Sequence, residues 1–122
     1  MQFIACKNKL VVFLIKNEMY RNAFKMKLKP GFEAEYKRRH DKIWPELKTL
    51  LSSAGVSDYA IFLDKETLTL FAIQKLEDGF DSEFLPNHPI VKKWWEYMSD
   101  IMDTNPDNSP VNKPLHEVFY LK

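Results

Sequence analysis

The sequence predicts an α+β domain in which helices cover one face of a four-stranded antiparallel sheet. Three observations carry this prediction. Residues 20–28 alternate between apolar and polar side chains, as in a half-buried strand. The apolar segments 56–64 and 68–76 are joined by only three residues, 65–67, which favours an antiparallel hairpin. Residues 89–102 instead carry apolar side chains at helical spacing.

The first strand is followed by two helical segments. Pro30-Gly31 breaks the strand, and residues 32–40 then have helical periodicity. A second helical segment covers residues 45–53. Pro45 lacks a backbone N–H and restricts the conformation of Trp44, so the two segments should meet at a bend.

The later elements complete the pattern. Residues 68–73 are almost continuously apolar, which predicts a central strand covered on both faces. The helix over 89–102 begins at Pro89, a residue suited to a first turn, and its apolar stripe is wide and aromatic. Residues 105–110 form a proline-punctuated loop, and residues 115–121 alternate as a last strand.

The order strand, helix, strand, strand, helix, strand is the split βαβ pattern of a ferredoxin-like sandwich. Helices cover only one face of such a sheet. Apolar side chains on the opposite face therefore need another cover, which a homodimer or a ligand cavity provides. The candidates for that face include some of Ile61, Leu63, Phe71, Ile73, Val118 and Tyr120.

Residues 1–18 have no place in this pattern and are interpreted as an N-terminal extension to a single domain over residues 19–122. Either translation begins naturally at Met19, or residues 9–15, which are β-branched and aromatic, form an extra edge strand. The apolar run 10–15 is too short for a secretory signal or for the ~20 residues that span a bilayer. No export and no membrane anchoring are expected.

Composition narrows the function. The 18 Lys and Arg balance 17 Asp and Glu, so no nucleic-acid partner is expected, and Lys37-Arg38-Arg39 is interpreted as a solvated helix surface. One cysteine, Cys6, rules out an intramolecular disulfide and indicates a reducing compartment, hence the cytoplasm. The histidines lack metal-ligand spacing, and the sequence has no phosphate-binding or dinucleotide-binding glycine motif. We therefore expect neither a metal site nor a phosphate-binding or dinucleotide-binding loop.

Tyr36 and His40 are the strongest chemical candidates because residues four apart share one face of a helix. Histidine titrates near neutral pH, so this pair could bind a hydroxylated ligand and move a proton on it. The alternative is a histidine with a purely structural role. Trp94 and Trp95 point about 100° apart, so one should pack in the core while the other faces a cavity. Tyr59 is either a further ligand contact or a core tyrosine.

The chain resembles the L-rhamnose mutarotase family. Five sequence blocks carry the resemblance in one order, between about Tyr20 and Leu121. They are EYKRRHDKIWPEL (Glu35 to Leu47), DYAIFLD (Asp58 to Asp64), WWEYMSDIM (Trp94 to Met102), NPDNSP (Asn105 to Pro110) and EVFYL (Glu117 to Leu121).

This resemblance implies a cofactor-free homodimer of the dimeric α+β barrel type that interconverts the α and β anomers of L-rhamnose. Carried over by motif, the general acid falls on His40. The sugar contacts fall on Tyr36, Tyr59, Trp94 and Trp95. The general base stays unassigned among a tyrosine, a water and a carboxylate.

Two alternatives remain at this point. A haem-handling monooxygenase shares the dimeric fold and could use His40 as an axial ligand, which the colour of the purified protein would reveal. A non-catalytic sugar-binding module would bind the ligand without accelerating anomer exchange.

Overall fold

The computed structural model describes residues 19–122, so the extension or extra strand predicted over residues 1–18 lies outside the described residues. The four strands form one sheet in the order β2-β3-β1-β4, and every neighbouring pair is antiparallel. This arrangement confirms the predicted α+β fold. The elements in chain order are β1 (Met19–Lys27), α1 (Glu33–Asp41), α2 (Pro45–Ser53), β2 (Val56–Asp64), β3 (Thr69–Glu77), α3 (Pro89–Met98) and β4 (Lys113–Leu115).

The two faces of the sheet differ in burial. Leu70 and Ala72 of β3 are buried in one core with Leu47 of α2 and Trp94 of α3. On the other face, Phe62 of β2 is 60% exposed. We call this second side the open face.

The register assigns the predicted apolar candidates to these faces. Phe71 pairs with Phe62, so it belongs to the open face, and Ile73, two residues on, lies there as well. Ile61 and Leu63 pair with the buried residues of β3 and face the helices. Within a single chain the helices cover one face of the third strand, and on the other face Ile73 is 42% exposed, so the second cover expected for this strand stays a prediction.

A β-bulge in β2 determines which side chains reach the core. Ser57 pairs with Lys75, but the next pair is Ala60 with Ile73, so β2 contains one more residue than its partner. Asp58 adopts a left-handed conformation, with φ of 46°, within this bulge. The extra residue shifts the alternation of side chains, which allows residues on both sides of the bulge to face the helices.

The bend between the first two helices is confirmed, because α1 ends at Asp41 and α2 begins at Pro45. α2 ends at Ser53, and Gly55, which follows in the turn to β2, has a φ of 98°. A Cβ atom at this position would lie 2.6 Å from the Glu77 carboxylate, so the close approach of the turn to β3 requires glycine.

The last helix and the last strand differ from prediction. α3 ends at Met98, not residue 102, because the chain turns there to pair with the end of β1, where Lys29 N donates to Ile101 O. β4 covers only Lys113–Leu115, whereas residues 115–121 were predicted. Beyond β4 the tail (residues 116–122) has no regular secondary structure, and Val118 is 93% exposed. The tail contacts β1 through Arg21, which pairs with Glu117 and lies over the ring of Tyr120, while Phe119 and Leu121 are exposed.

Candidate active site

All five site residues predicted from the sequence line one cavity of about 1110 Å³. Tyr36 and His40 come from α1, Tyr59 from β2, and Trp94 and Trp95 from α3. The helix-facing side of the sheet forms much of the remaining wall, including the polar side chain of Gln74. The cavity therefore brings together residues from distant parts of the sequence.

The His40 imidazole is held in one orientation. Its ring stacks on that of Tyr36, with centroids 4.3 Å apart, and its Nδ1 lies 3.1 Å from the Tyr36 carbonyl oxygen. A carbonyl can only accept, so in the neutral ring Nδ1 carries the hydrogen and donates this bond. Nε2 then has the lone pair and is the nitrogen left for a ligand.

Aromatic rings on α3 and in the bend enclose the same imidazole. The edge of Trp94 packs against His40 at 5.4 Å, and Trp44 in turn packs against Trp94 at 5.0 Å. Burial lowers the pKa of His40 from its ordinary value of 6.5, although the bond to the Tyr36 carbonyl and the Asp41 carboxylate act in the opposite direction. The ring is therefore neutral at neutral pH.

The two tyrosines of the cavity keep their hydroxyl protons. Burial raises the pKa of Tyr36, and burial of the hydroxyl raises the pKa of Tyr59 to about 12, even though 41% of Tyr59 as a whole is exposed. Tyr59 immediately follows the left-handed residue of the β2 bulge. Both hydroxyls can donate or accept hydrogen bonds at neutral pH, and neither is a phenolate base.

The two tryptophans both line the cavity. They still differ: Trp94 is buried and packs against other rings, whereas Trp95 is half-buried and also borders a second cavity of about 500 Å³ beside the 105–110 loop. A sugar has apolar C–H faces that fit aromatic rings.

The side chain of Arg39 is only 10% exposed, so the interpretation of this residue as solvated helix surface is wrong. It donates hydrogen bonds to Glu35 on α1 and to Asp100 beyond α3. No local sequence pattern indicates that Arg39 bonds Asp100, because the two residues are 61 positions apart.

Tyr97, which packs against Trp94, was also missed, although its i, i+3 spacing from Trp94 could have indicated it.

Within residues 19–122 no group of three or more His, Cys, Asp or Glu side chains could hold a metal ion. Over the same residues, no helix is both long enough and apolar enough to cross a membrane. The cavity contains a neutral histidine, protonated tyrosines and indole rings. Such a combination is suited to proton transfer on a ligand that carries both hydroxyls and apolar C–H groups.

Comparisons with known proteins indicate the class of protein. The model of the L-rhamnose mutarotase family matches residues 21–121. Proteins called L-rhamnose mutarotase from Flavobacterium johnsoniae and Bacteroides thetaiotaomicron are 63% and 64% identical, covering 83% and 84% of this chain and 94% and 99% of the relatives. The chain belongs to the L-rhamnose mutarotase family.

A solved structure supports the same assignment. The crystal structure of an L-rhamnose mutarotase from Formosa agariphila is 59% identical to this chain, with a TM-score of 0.78. The match covers 84% of this chain and 99% of that one. The family resemblance inferred from five sequence blocks is thus confirmed, and the haem-handling alternative gains no support.

Proposed function

We propose that this protein interconverts the α and β anomers of L-rhamnose, and that His40 moves the proton. One observation carries the proposal: a neutral imidazole, fixed through Nδ1 to the Tyr36 carbonyl, stands in an aromatic cavity of a mutarotase-family chain. The proposed role in the cell is correspondingly in carbohydrate metabolism.

The reaction requires a proton to leave the anomeric hydroxyl and a proton to reach the ring oxygen. Neutral His40 accepts the anomeric proton at Nε2, and the resulting imidazolium donates a proton to the ring oxygen as the C1–O bond breaks. The products of this step are an open-chain aldehyde and a hydroxyl group, so protons and charges balance. Rotation about C1–C2 and the reverse steps give the other anomer.

One group can serve both steps because the two oxygens are bonded to the same carbon. We therefore propose His40 as the general base as well, a role that the sequence left open. The pKa values of Tyr36 and Tyr59 are raised, so their hydroxyls are poor bases and better suited to bonding sugar hydroxyls. Two of the carboxylates that line the cavity, Asp41 and Asp58, are paired with lysines, which makes them less suited to accept a proton.

Tyr36, Tyr59, Trp94 and Trp95 are proposed to bind the sugar. The hydroxyls and indole N–H groups would bond sugar hydroxyls, while the ring faces cover C–H groups. The shared position of the four side chains in the wall of one cavity supports this proposal.

Saturation-transfer NMR on freshly purified protein tests the function directly. With L-rhamnose, we expect magnetisation to transfer between the α and β anomeric protons faster than in buffer, in proportion to enzyme concentration. Binding of L-rhamnose with the buffer rate of exchange would instead indicate a sugar-binding module. Measurements on other aldoses in the same buffer provide the specificity control.

We further propose that the protein is a homodimer whose open faces meet. Phe62, Ile73 and Leu115 are exposed on that side of the sheet, and the tail adds exposed Phe119 and Leu121. Leaving contiguous apolar surface in water costs ~25 cal/mol per Å², and a second copy offers a matching surface.

Residues 1–18 are proposed to be dispensable, and residues 19–122 to form the complete domain. The family match begins at residue 21, and matches of 101 and 103 residues of this chain cover 94% and 99% of two relatives. A chain that starts at Met19 is expected to keep the oligomeric state and exchange rate of the full chain, as measured by light scattering and NMR. A truncated chain that is insoluble or inactive would show that the segment is required.

We also propose that the protein is located in the cytoplasm, which the single cysteine supports.

A further inference from the structure

Arg39 links the helix that carries His40 to the end of the helix that carries Trp94. Its Nε donates to Glu35 Oε2 at 2.7 Å, while Nη1 donates to the Tyr97 carbonyl at 2.6 Å and to Asp100 Oδ1 at 2.9 Å. A further bond runs from Nη2 to Asp100 Oδ2 at 3.3 Å. These bonds use the planar geometry of a guanidinium group, which an ammonium group does not reproduce.

The contact with Tyr97 has two parts. Tyr97 lies in the last turn of α3, where a backbone carbonyl has no partner within the helix, and Arg39 supplies one. The Arg39 guanidinium also lies 4.5 Å from the centroid of the Tyr97 ring, within range of a cation–π interaction. Both contacts fix Tyr97 relative to α1.

A chain of ring contacts extends from Tyr97 to the imidazole. Tyr97 packs against Trp94 at 5.6 Å and against Trp44 at 5.5 Å. Trp94 packs edge-on against His40 at 5.4 Å. Arg39 and His40 are adjacent on α1. Arg39 therefore links α1 to α3, and Trp94 of α3 in turn contacts His40 of α1.

We propose that Arg39 is a positioning residue that holds α1 against the C-terminal end of α3 and thereby sets the placement of His40 against Trp94. The inference rests on the proposed function of His40. Arg39 itself does not appear among the residues that line the cavity, so it acts through the neighbouring side chains.

The adjacent Arg38 offers a matched control. Arg38 also pairs with Glu35, at 2.6 Å, and hydrogen bonds with Glu35 and with the Tyr97 side chain raise its pKa. The bonds to the Tyr97 carbonyl and to Asp100 come from Arg39 instead, and the Arg38 side chain is 51% exposed, compared with 10% for Arg39. Arg39→Met keeps the apolar stem of the side chain and removes the bonds to α3. Neither carboxylate is left buried without a partner, because Glu35 retains Arg38 and Asp100 is 64% exposed.

The experiment compares Arg39→Met, Arg39→Lys and Arg38→Met with the wild-type protein. Anomer exchange of L-rhamnose gives kcat and KM, and NMR gives the titration and chemical shifts of the His40 ring protons. In Arg39→Met we expect kcat to fall by about 10-fold or more, since small displacements of a catalytic group reduce rates strongly. The value of KM should change by less than about twofold. His40 should titrate at higher pH as water reaches it, and its shifts should lose the ring-current contribution of Trp94.

Arg39→Lys should lie between Arg39→Met and the wild type, and Arg38→Met should remain close to the wild type in every measurement. Wild-type kcat in Arg39→Met, an equal loss in Arg38→Met, or a loss without changed His40 shifts would each overturn the proposal. If Arg39→Met does not fold, Asp100→Asn replaces it, with a smaller fall in kcat and the same changes at His40 expected. A failure of the proposed function can be told apart from a failure of the Arg39 proposal, because in the first case the wild-type protein itself would not accelerate anomer exchange.

Discussion

Replacement of His40 by alanine or asparagine is expected to remove most anomer exchange and leave the chain folded. Either change deletes the group that accepts and donates the proton, and such a group contributes ~10²–10⁴-fold in rate. Stability should fall only slightly, because the fully buried residues of the core, such as Leu70 and Ile101, are unchanged. Saturation-transfer NMR measures exchange, and circular dichroism with thermal unfolding measures fold and stability.

Two variants serve as controls for this result. Tyr36→Phe keeps the ring that stacks on His40 and the carbonyl that accepts from Nδ1, so it should weaken sugar binding more than it slows proton transfer. Glu33→Gln removes another carboxylate of the cavity wall and should retain exchange. Near-wild-type exchange in His40→Ala, or a loss in Glu33→Gln as large as in His40→Ala, would contradict the assignment of His40 as the proton carrier.

The same His40→Asn variant tests the lowered pKa. Because folding lowers the pKa of His40 below 6.5, the unfolded chain binds a proton more readily than the folded chain. The contribution of this residue to stability is therefore complete above about pH 6.5 and is lost as the pH falls towards the folded-state pKa. Between pH 7 and pH 5 the wild-type protein should lose more unfolding free energy than His40→Asn. Equal losses would show that His40 is not shielded from water.

Phe62→Lys is expected to convert a dimer into a monomer. Phe62 is the most exposed large hydrophobic residue of the open face within a strand. A twofold interface there would place two lysines and their unpaired charges against apolar surface. Like charges brought together cost several kcal/mol, and about 3 kcal/mol corresponds to a dissociation constant about 100-fold higher. Light scattering at micromolar concentration should report about twice the chain mass of 14.5 kDa for the wild type and one chain mass for the variant.

Phe84→Lys is the matched control for this experiment. Phe84 is 46% exposed but lies outside the strands, in the loop between β3 and α3, where its ring packs against that of His88 at the start of α3. The same substitution there should leave the protein dimeric. A wild-type protein that is a stable monomer across the concentration range, or a Phe62→Lys variant that stays dimeric, would refute the packing of open face on open face.

The sequence alone determined the elements whose signals are local. Alternating side chains identified β1, the short 65–67 connection identified the hairpin, and Pro45 identified the bend between α1 and α2, because each depends on neighbouring residues. The i, i+4 spacing likewise placed Tyr36 and His40 on one helix face, where their rings stack. Five ordered blocks were specific enough to indicate the family.

Only the tertiary structure decided the features that depend on distant partners. The bulge at Asp58 that precedes Tyr59 arises from strand pairing, and the burial of Arg39 arises from Asp100 and Tyr97, which no local pattern connects to it. The alternating tail pairs with β1 only over Lys113–Leu115, and where that pairing stops depends on how the tail lies against β1, not on the alternation of its own side chains. Local spacing fixes which side chains share a face; the packing of α1 against α3 fixes which of those side chains meet in the cavity.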